Sequence, residues 1–249
     1  MQEQQPLPPA PSLGTTFMDV FTSPSEVYQN VKGTASTPKL WIVPLMVSIL
    51  IAIFTTCIIA TNESLHSQVI EQQRTALEKQ VEKNKVTREN ADIQMDRLEK
   101  SGIGLFIAFG SIFASIALAA AFFITALFLW LADKIFLKSA EGYGKHLELY
   151  GISLWIGLLG GIITLLMIIG FNSLVASPSA ALAVLANYDA SNDIHKVLSA
   201  INIFSIWQAA IVGIGLSKFS GKSAGMGMAV AFILWILWVA VSILLGLAR

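Results

Sequence analysis

Residues 202–223 read NIFSIWQAAIVGIGLSKFSGKS, an apolar stretch that carries an asparagine, a tryptophan, a glutamine and three glycines. A soluble core helix avoids such glycines, which cost roughly 1 kcal/mol each relative to alanine. A lipid-facing anchor avoids residues such as Asn202 and Gln208. Both features fit one helix of a membrane bundle, with Gly213 where a neighbouring helix crosses and Gly221 in a tight turn, KFSGKS, to the next span.

The rest of the chain agrees with that solvent. Of 249 residues, 55% are hydrophobic and only 13% charged, with a positive mean hydropathy, far from the roughly 25% charge usual in soluble domains. Uncharged stretches run from Leu40 to Asn62, Ser101 to Ala132, Leu149 to Tyr188, Val197 to Ser217 and Ser223 to Ala248. Each holds the ~20 apolar residues that cross a ~30 Å hydrocarbon layer. The reading is an all-α polytopic membrane protein with five spans and an extramembrane helical insertion between the first two. After Pro178 the third stretch is too short to cross again, and Ser177 followed by Pro178 reads as the cap and first residue of a short interfacial helix.

The partition that follows is a disordered Pro-rich tail over 1–15 and amphipathic cytoplasmic helices over 16–39. Spans occupy 40–61, 101–132, 149–172, 197–217 and 223–248. A charged extracytoplasmic helical segment covers 62–100 and a cytoplasmic loop 133–148. An extracytoplasmic loop with the interfacial helix covers 173–196, and a cytoplasmic turn 218–222. MQEQQPLPPAPS has no basic residue and no apolar run directly after it, so no cleavable signal is expected. Cys57 is alone and forms no intramolecular disulfide. A formal net charge of zero gives no reason to expect nucleic acid as a partner.

Basic residues set the orientation. With a cytoplasmic N-terminus, the inner segments carry Lys32, Lys39, Lys134, Lys138, Lys145, Lys218 and Lys222, against Lys196 and Arg249 on the later outer ones. Residues 62–100 run against this count with seven basic residues, interleaved with eight acidic ones.

Before the first span, Ser23, Pro24 and Glu26 in FTSPSEVYQNVKG spell a helix start with a capping box, and Val27, Tyr28 and Val31 share a face. With Phe17, Val20 and Phe21 these segments either lie on the membrane surface or pack under the bundle. The stretch from Glu63 to Lys100 holds neither glycine nor proline and is strongly helix-forming. Seven-residue steps join Ile70 to Leu77 and Val86 to Ile93, with Val81 between. One long helix or a hairpin turning near Asn84 both satisfy the pattern. Two readings stand for the segment: a docking element that forms a coiled coil with a partner or a second copy, and a solvated charged helix that only links two spans.

Small residues recur at spacings of four on three spans: Ser111, Ser115 and Ala119; Gly157 and Gly161; Ala209, Gly213 and Ser217. Asn202, about five residues into its helix, reaches headgroups or water. Gln208, near mid-depth, needs a partner on another helix, a contact worth about 0.6 to 2 kcal/mol. Trp207 lies at the depth of Trp235, and Trp41 and Trp130 fall where an aromatic belt is expected.

Catalytic signals are weak. His66, His146 and His195 fall in three different loops, without metal-ligand spacing. No nucleophile elbow and no phosphate-binding loop is present, so no catalytic, metal or cofactor residue is expected.

FTSPSEVYQNV leading into KLWIVPLMV, GYGKHLELYGISLW opening the third span, and NIFSIWQAAIVGIGLSKFSGKS together resemble the bacterial branch of the Yip1-domain family of five-span membrane proteins. The likeness covers nearly the whole membrane region and is most specific in the last stretch. It breaks at the charged segment, where smaller relatives have a short loop. The resemblance implies that Tyr28, Pro44, Tyr150, Asn202, Trp207, Gln208, Gly213 and Gly215 are family-pattern positions maintaining the bundle and its partner surface. It brings no active site. Eukaryotic members are linked to vesicle trafficking and small GTPases, and some bacterial relatives accompany ABC-type exporters. The expectation is a non-enzymatic accessory or organising subunit in a bacterial inner membrane. Its expected partners are the lipid bilayer, an ABC-type permease and ATPase or a periplasmic adaptor, and a second copy of the chain. Two alternatives stand beside it: a small transporter or channel with a polar path at Gln208 and Asn202, and a membrane-shaping protein acting through Phe17 and Phe21.

Overall fold

The computed structural model describes residues 11–190 and 192–244. All regular structure among them is helical, and five helices are long and apolar enough to cross a membrane. These are α3 (Lys39–Thr61), α6 (Ile103–Ala132, continued by a π-helical turn to Leu137), α7 (Tyr143–Phe171), α9 (Ile203–Ser220) and α10 (Ala224–Leu244). The chain is a multi-pass membrane protein.

Two short helices precede the bundle, α1 (Leu13–Thr22) and α2 (Pro24–Lys32). α1 begins inside the expected tail because the Ser12 hydroxyl accepts from the Thr15 amide; residues 1–10 of that tail lie outside the described residues. Ser23 ends α1 and starts α2: its amide donates to Asp19 O, and its side chain makes no capping bond. Proline at the first position of α2 needs no such donor satisfied. The two helices pack against the bundle, with Val20, Val27, Tyr28 and Val31 in one core with Leu149, Ile152, Ile156, Val212, Leu216 and Phe219.

Between α3 and α6 the chain forms a hairpin, α4 (Glu63–Glu82) and α5 (Arg88–Lys100). Asn62 closes α3 and caps α4, and Asn84 adopts φ 54°, the left-handed conformation that asparagine tolerates, to reverse the chain. The reversal resets the helical phase. Ala91 and Met95 are buried in the hairpin while Ile93 faces solvent, so the apolar spacing from Val86 to Ile93 does not continue the stripe of α4. Leu65, Ile168 and Leu174 form a small core at the hairpin base.

Three further boundaries differ from the sequence reading. α7 starts at Tyr143, so the expected loop over 133–148 shrinks to the residues between Leu137 and Tyr143. The expected fourth span from 197 divides into α8 (Asp193–Ala200) and α9, because Ile201 to Ile203 turn aside to pair with Pro178 to Ala180: Ala180 N donates to Ile201 O and Ile203 N to Pro178 O. That pairing also holds Ser179 extended, so the short helix predicted to start at Pro178 begins at Ala180 and is a 3-10 helix, to Asn187. Residues 245–248 of the expected last span lie outside the described residues.

Bundle contacts rest on missing side chains. Pro44 removes the amide that would bond Leu40 O, and Gly151 lies against that carbonyl and Trp41, where α3 crosses α7. At the α9–α10 crossing, a Cβ on Gly213 would stand 2.7 Å from Met228 Cα, and one on Gly227 would strike the Gly213 carbonyl.

Candidate functional site

One end of the bundle holds four ionisable side chains almost out of solvent. Lys145, His146 and Glu148 occupy the first two turns of α7, and Asp133 opens the π-helical turn after α6. The helix continues through KHLE because nothing in YGKHLELYG breaks it, and spacings of three and four put these groups toward α2, α6 and the 33–38 linker. Lys145 Nζ donates to Glu148 Oε2 at 2.9 Å and to Val31 O at 2.7 Å. Glu148 Oε1 accepts from Ser36 Oγ at 2.7 Å and from the Thr37 amide. One carboxylate thereby fixes the linker from α2 to α3.

The second pair is drier still. His146 Nδ1 donates to Gly142 O at 3.0 Å, and Nε2 stands 2.8 Å from Asp133 Oδ2, with both side chains inaccessible to solvent. Gly142 O only accepts, so the remaining proton lies between Nε2 and Asp133, as imidazolium with carboxylate or as neutral imidazole with carboxylic acid. Nearby, Tyr28 donates to Leu149 O at 3.1 Å, and burial pushes its phenol well above the ordinary tyrosine range. Lys32 Nζ donates to Lys218 O at 3.0 Å, tying α2 to the end of α9. Because Lys145, Glu148, His146, Tyr28 and Lys32 each also bond a segment other than their own, the cluster works as a polar clasp. Among the described residues no group of three or more His, Cys, Asp or Glu is placed to hold a metal ion.

Toward the opposite end, α6, α9 and α10 leave an open cleft of about 850 Å³, reaching Tyr150 at its inner end and Lys196, Ser177 and Ser199 at the other. Gln208 lines it and donates through Nε2 to Ser153 Oγ at 3.2 Å. Its Oε1 faces Gly157, where a Cβ would approach to 3.0 Å.

The family-pattern positions divide between these regions. Tyr28 and Gly215 meet beside Leu149 next to the clasp, and Pro44 is buried at the α3–α7 crossing. Gly213 lies at the α9–α10 crossing. Tyr150 stacks on Phe122 at 5.4 Å and, with Gln208, lines the cleft. Asn202 is not inside a helix: it caps α9, accepting from the Phe204 amide at 2.9 Å, and is not among the cleft-lining residues. Trp207 packs on Phe21 at 5.9 Å and Phe204 at 6.3 Å, because α1 occupies that side; Trp235 packs on Phe232. Trp41, expected in an interfacial belt, stacks on Phe122.

The three histidines lie in helices, not loops: His66 in α4 against Phe106, His146 in the clasp, and His195 in α8, where Nδ1 accepts from the Asp189 amide. The clasp escaped the sequence reading because its charges mark a loop when counted one by one. The available signal was the unbroken helical run of Lys145 to Glu148 into LYGISLW.

Neither a curated protein nor a solved structure matches the chain. The family model for the Yip1 domain matches residues 18–246, from within α1 to beyond the described end of α10. That match takes in the second half of α1, α2, the clasp, all five spans and the hairpin, and the chain belongs to the Yip1 domain family.

Proposed function

We propose that this protein is a non-enzymatic accessory subunit of a bacterial inner-membrane assembly, of the ABC-type exporter or envelope-complex kind, and that it docks through α4 and α5 on the extracytoplasmic side. The observation that carries this reading is the hairpin. Its helices carry mostly exposed charged residues beyond Asn62, and its base is fastened by Leu65 and by Gln68, whose side chain bonds Asn172 O and the Leu174 amide. An arm anchored at one end and exposed along its length offers a surface to another protein. The basic-residue count supports a cytoplasmic N-terminus for the same arrangement. The clasp's bonds from α7 to the 31–37 segment and to Asp133 support a structural role for its side chains.

The Arg74 guanidinium meets the Glu99 carboxylate at 2.6 Å across the hairpin, so the two residues face each other and a flexible Gly-Ser bridge replacing residues 75–98 joins the two helices above the base. The variant should insert and purify as the wild type does while losing a stoichiometric ABC-type permease and ATPase from mild-detergent preparations. Equal recovery of that pair with both proteins would reject the hairpin as the docking element. A transport reading rests on Gln208 in the cleft; it predicts that Gln208→Leu abolishes flux in proteoliposomes with assembly intact.

A further inference from the structure

The cleft is built as an amphiphile site. Its walls are Phe128, Leu234, Trp238 and Val241 over most of its length. Thr125, Tyr150, Ser205 and Gln208 line it deeper in the bundle, and the one charged group, Lys196, lines it with Ser177 and Ser199 toward the hairpin end. α10 alone follows it from Ala231 to Ser242, about 17 Å at the helical rise. The volume of about 850 Å³ falls within the roughly 300–1,000 Å³ of ligand sites. Three membrane-spanning helices bound it, so hydrocarbon is the medium at hand, and an unfilled apolar space of this size would forfeit dispersion contacts along every wall.

Charge selects among lipids. Among the described residues Lys196 is the one basic residue on the lining, and no acidic side chain of theirs lines the cleft. Lys196 Nζ donates to Asp193 Oδ1 at 2.8 Å; the Asp193 side chain is 74% exposed, so water screens the carboxylate, while the Lys196 side chain is mostly covered and its ammonium keeps two further protons to donate. We propose that the cleft holds one anionic phospholipid of the surrounding bilayer, an acyl chain lying along α10 between α6 and α9 and the phosphate resting at Lys196 and Ser199.

The test is native mass spectrometry of the full chain released from nanodiscs containing phosphatidylglycerol or phosphatidylcholine. The wild type should retain one phosphatidylglycerol in preference to phosphatidylcholine. Lys196→Gln should cut that preference about fivefold, the worth of one basic residue facing an anionic surface. Ala200→Phe, which narrows the cleft from its lining, should retain neither lipid, with size-exclusion elution and helical circular dichroism confirming that both variants fold. Equal retention of the two lipids by the wild type, or an unchanged adduct in Ala200→Phe, would mean surface-bound lipid and overturn the proposal. So would an adduct seen only when the chain is ended after Leu244, because the last residues would then be the occupant.

Discussion

The two ends of the bundle are held by different physics. At the α1–α2 end, Tyr28, Leu149, Leu216 and Phe219 are buried together, and beside them the clasp buries the Lys145–Glu148 ion pair and the His146–Asp133 hydrogen bond, with Asp133 Oδ1 the one carboxylate oxygen of the two left without a partner among the described residues. At the hairpin end, the cross-helix ion pair of α4 and α5 is half exposed on both sides, and only Leu65, Ala91 and Met95 are buried along the two helices. Buried charges are costly when unpaired, so the first end tolerates little change; water screens the second, and its sequence is free to follow a partner. Rigidity at one end and latitude at the other suit a protein that holds its bundle fixed while presenting an arm.

The largest test of this contrast is Glu148→Ala. It leaves Lys145 without its carboxylate and strands the Ser36 and Thr37 donors, so stability measured by denaturation in detergent should fall by about 3–5 kcal/mol. A loss below about 1 kcal/mol would remove the clasp as a fastening. Gly227→Ala comes next: forcing a methyl into the Gly213 carbonyl should cost about 1–3 kcal/mol and shift the α9–α10 crossing, which a cysteine crosslinking pair across the two helices would report. Tyr28→Phe should cost about 0.5–1.5 kcal/mol, read as a lowered Tm, because it removes one buried hydrogen bond and keeps the ring packed. Smallest is Arg74→Ala, expected to change stability by no more than about 1 kcal/mol and to weaken further in high salt. A larger effect at Arg74 than at Tyr28 would reverse the comparison.

The same contrast governs what was legible in the sequence. Length and absence of charge are local properties, so the spans could be placed from Leu40 to Asn62 and onward without knowing their neighbours. The hairpin was half legible: Asn84 marked the reversal, but the phase shift that buries Met95 and exposes Ile93 arises only when two helices pair. Asn202 was misplaced because capping depends on Pro178 and Ser179, more than twenty residues earlier, pairing with the backbone beside it. The clasp was hidden for the strongest version of that reason. Lys145 and Glu148 are surface residues by type, and only the returning 31–37 segment, over a hundred positions away, makes them interior ones.

That distance sets an order on biosynthesis. Glu148 emerges 111 residues after Thr37, so α1, α2 and the linker must wait about 5 to 20 s at ordinary elongation rates before α7 supplies their anchor. During that interval the first span is already inserted while the segment before it has no fixed position. Closure of the clasp is therefore a late event, and a chain stopped before α7 carries a loose N-terminus that a protease can distinguish from the finished protein.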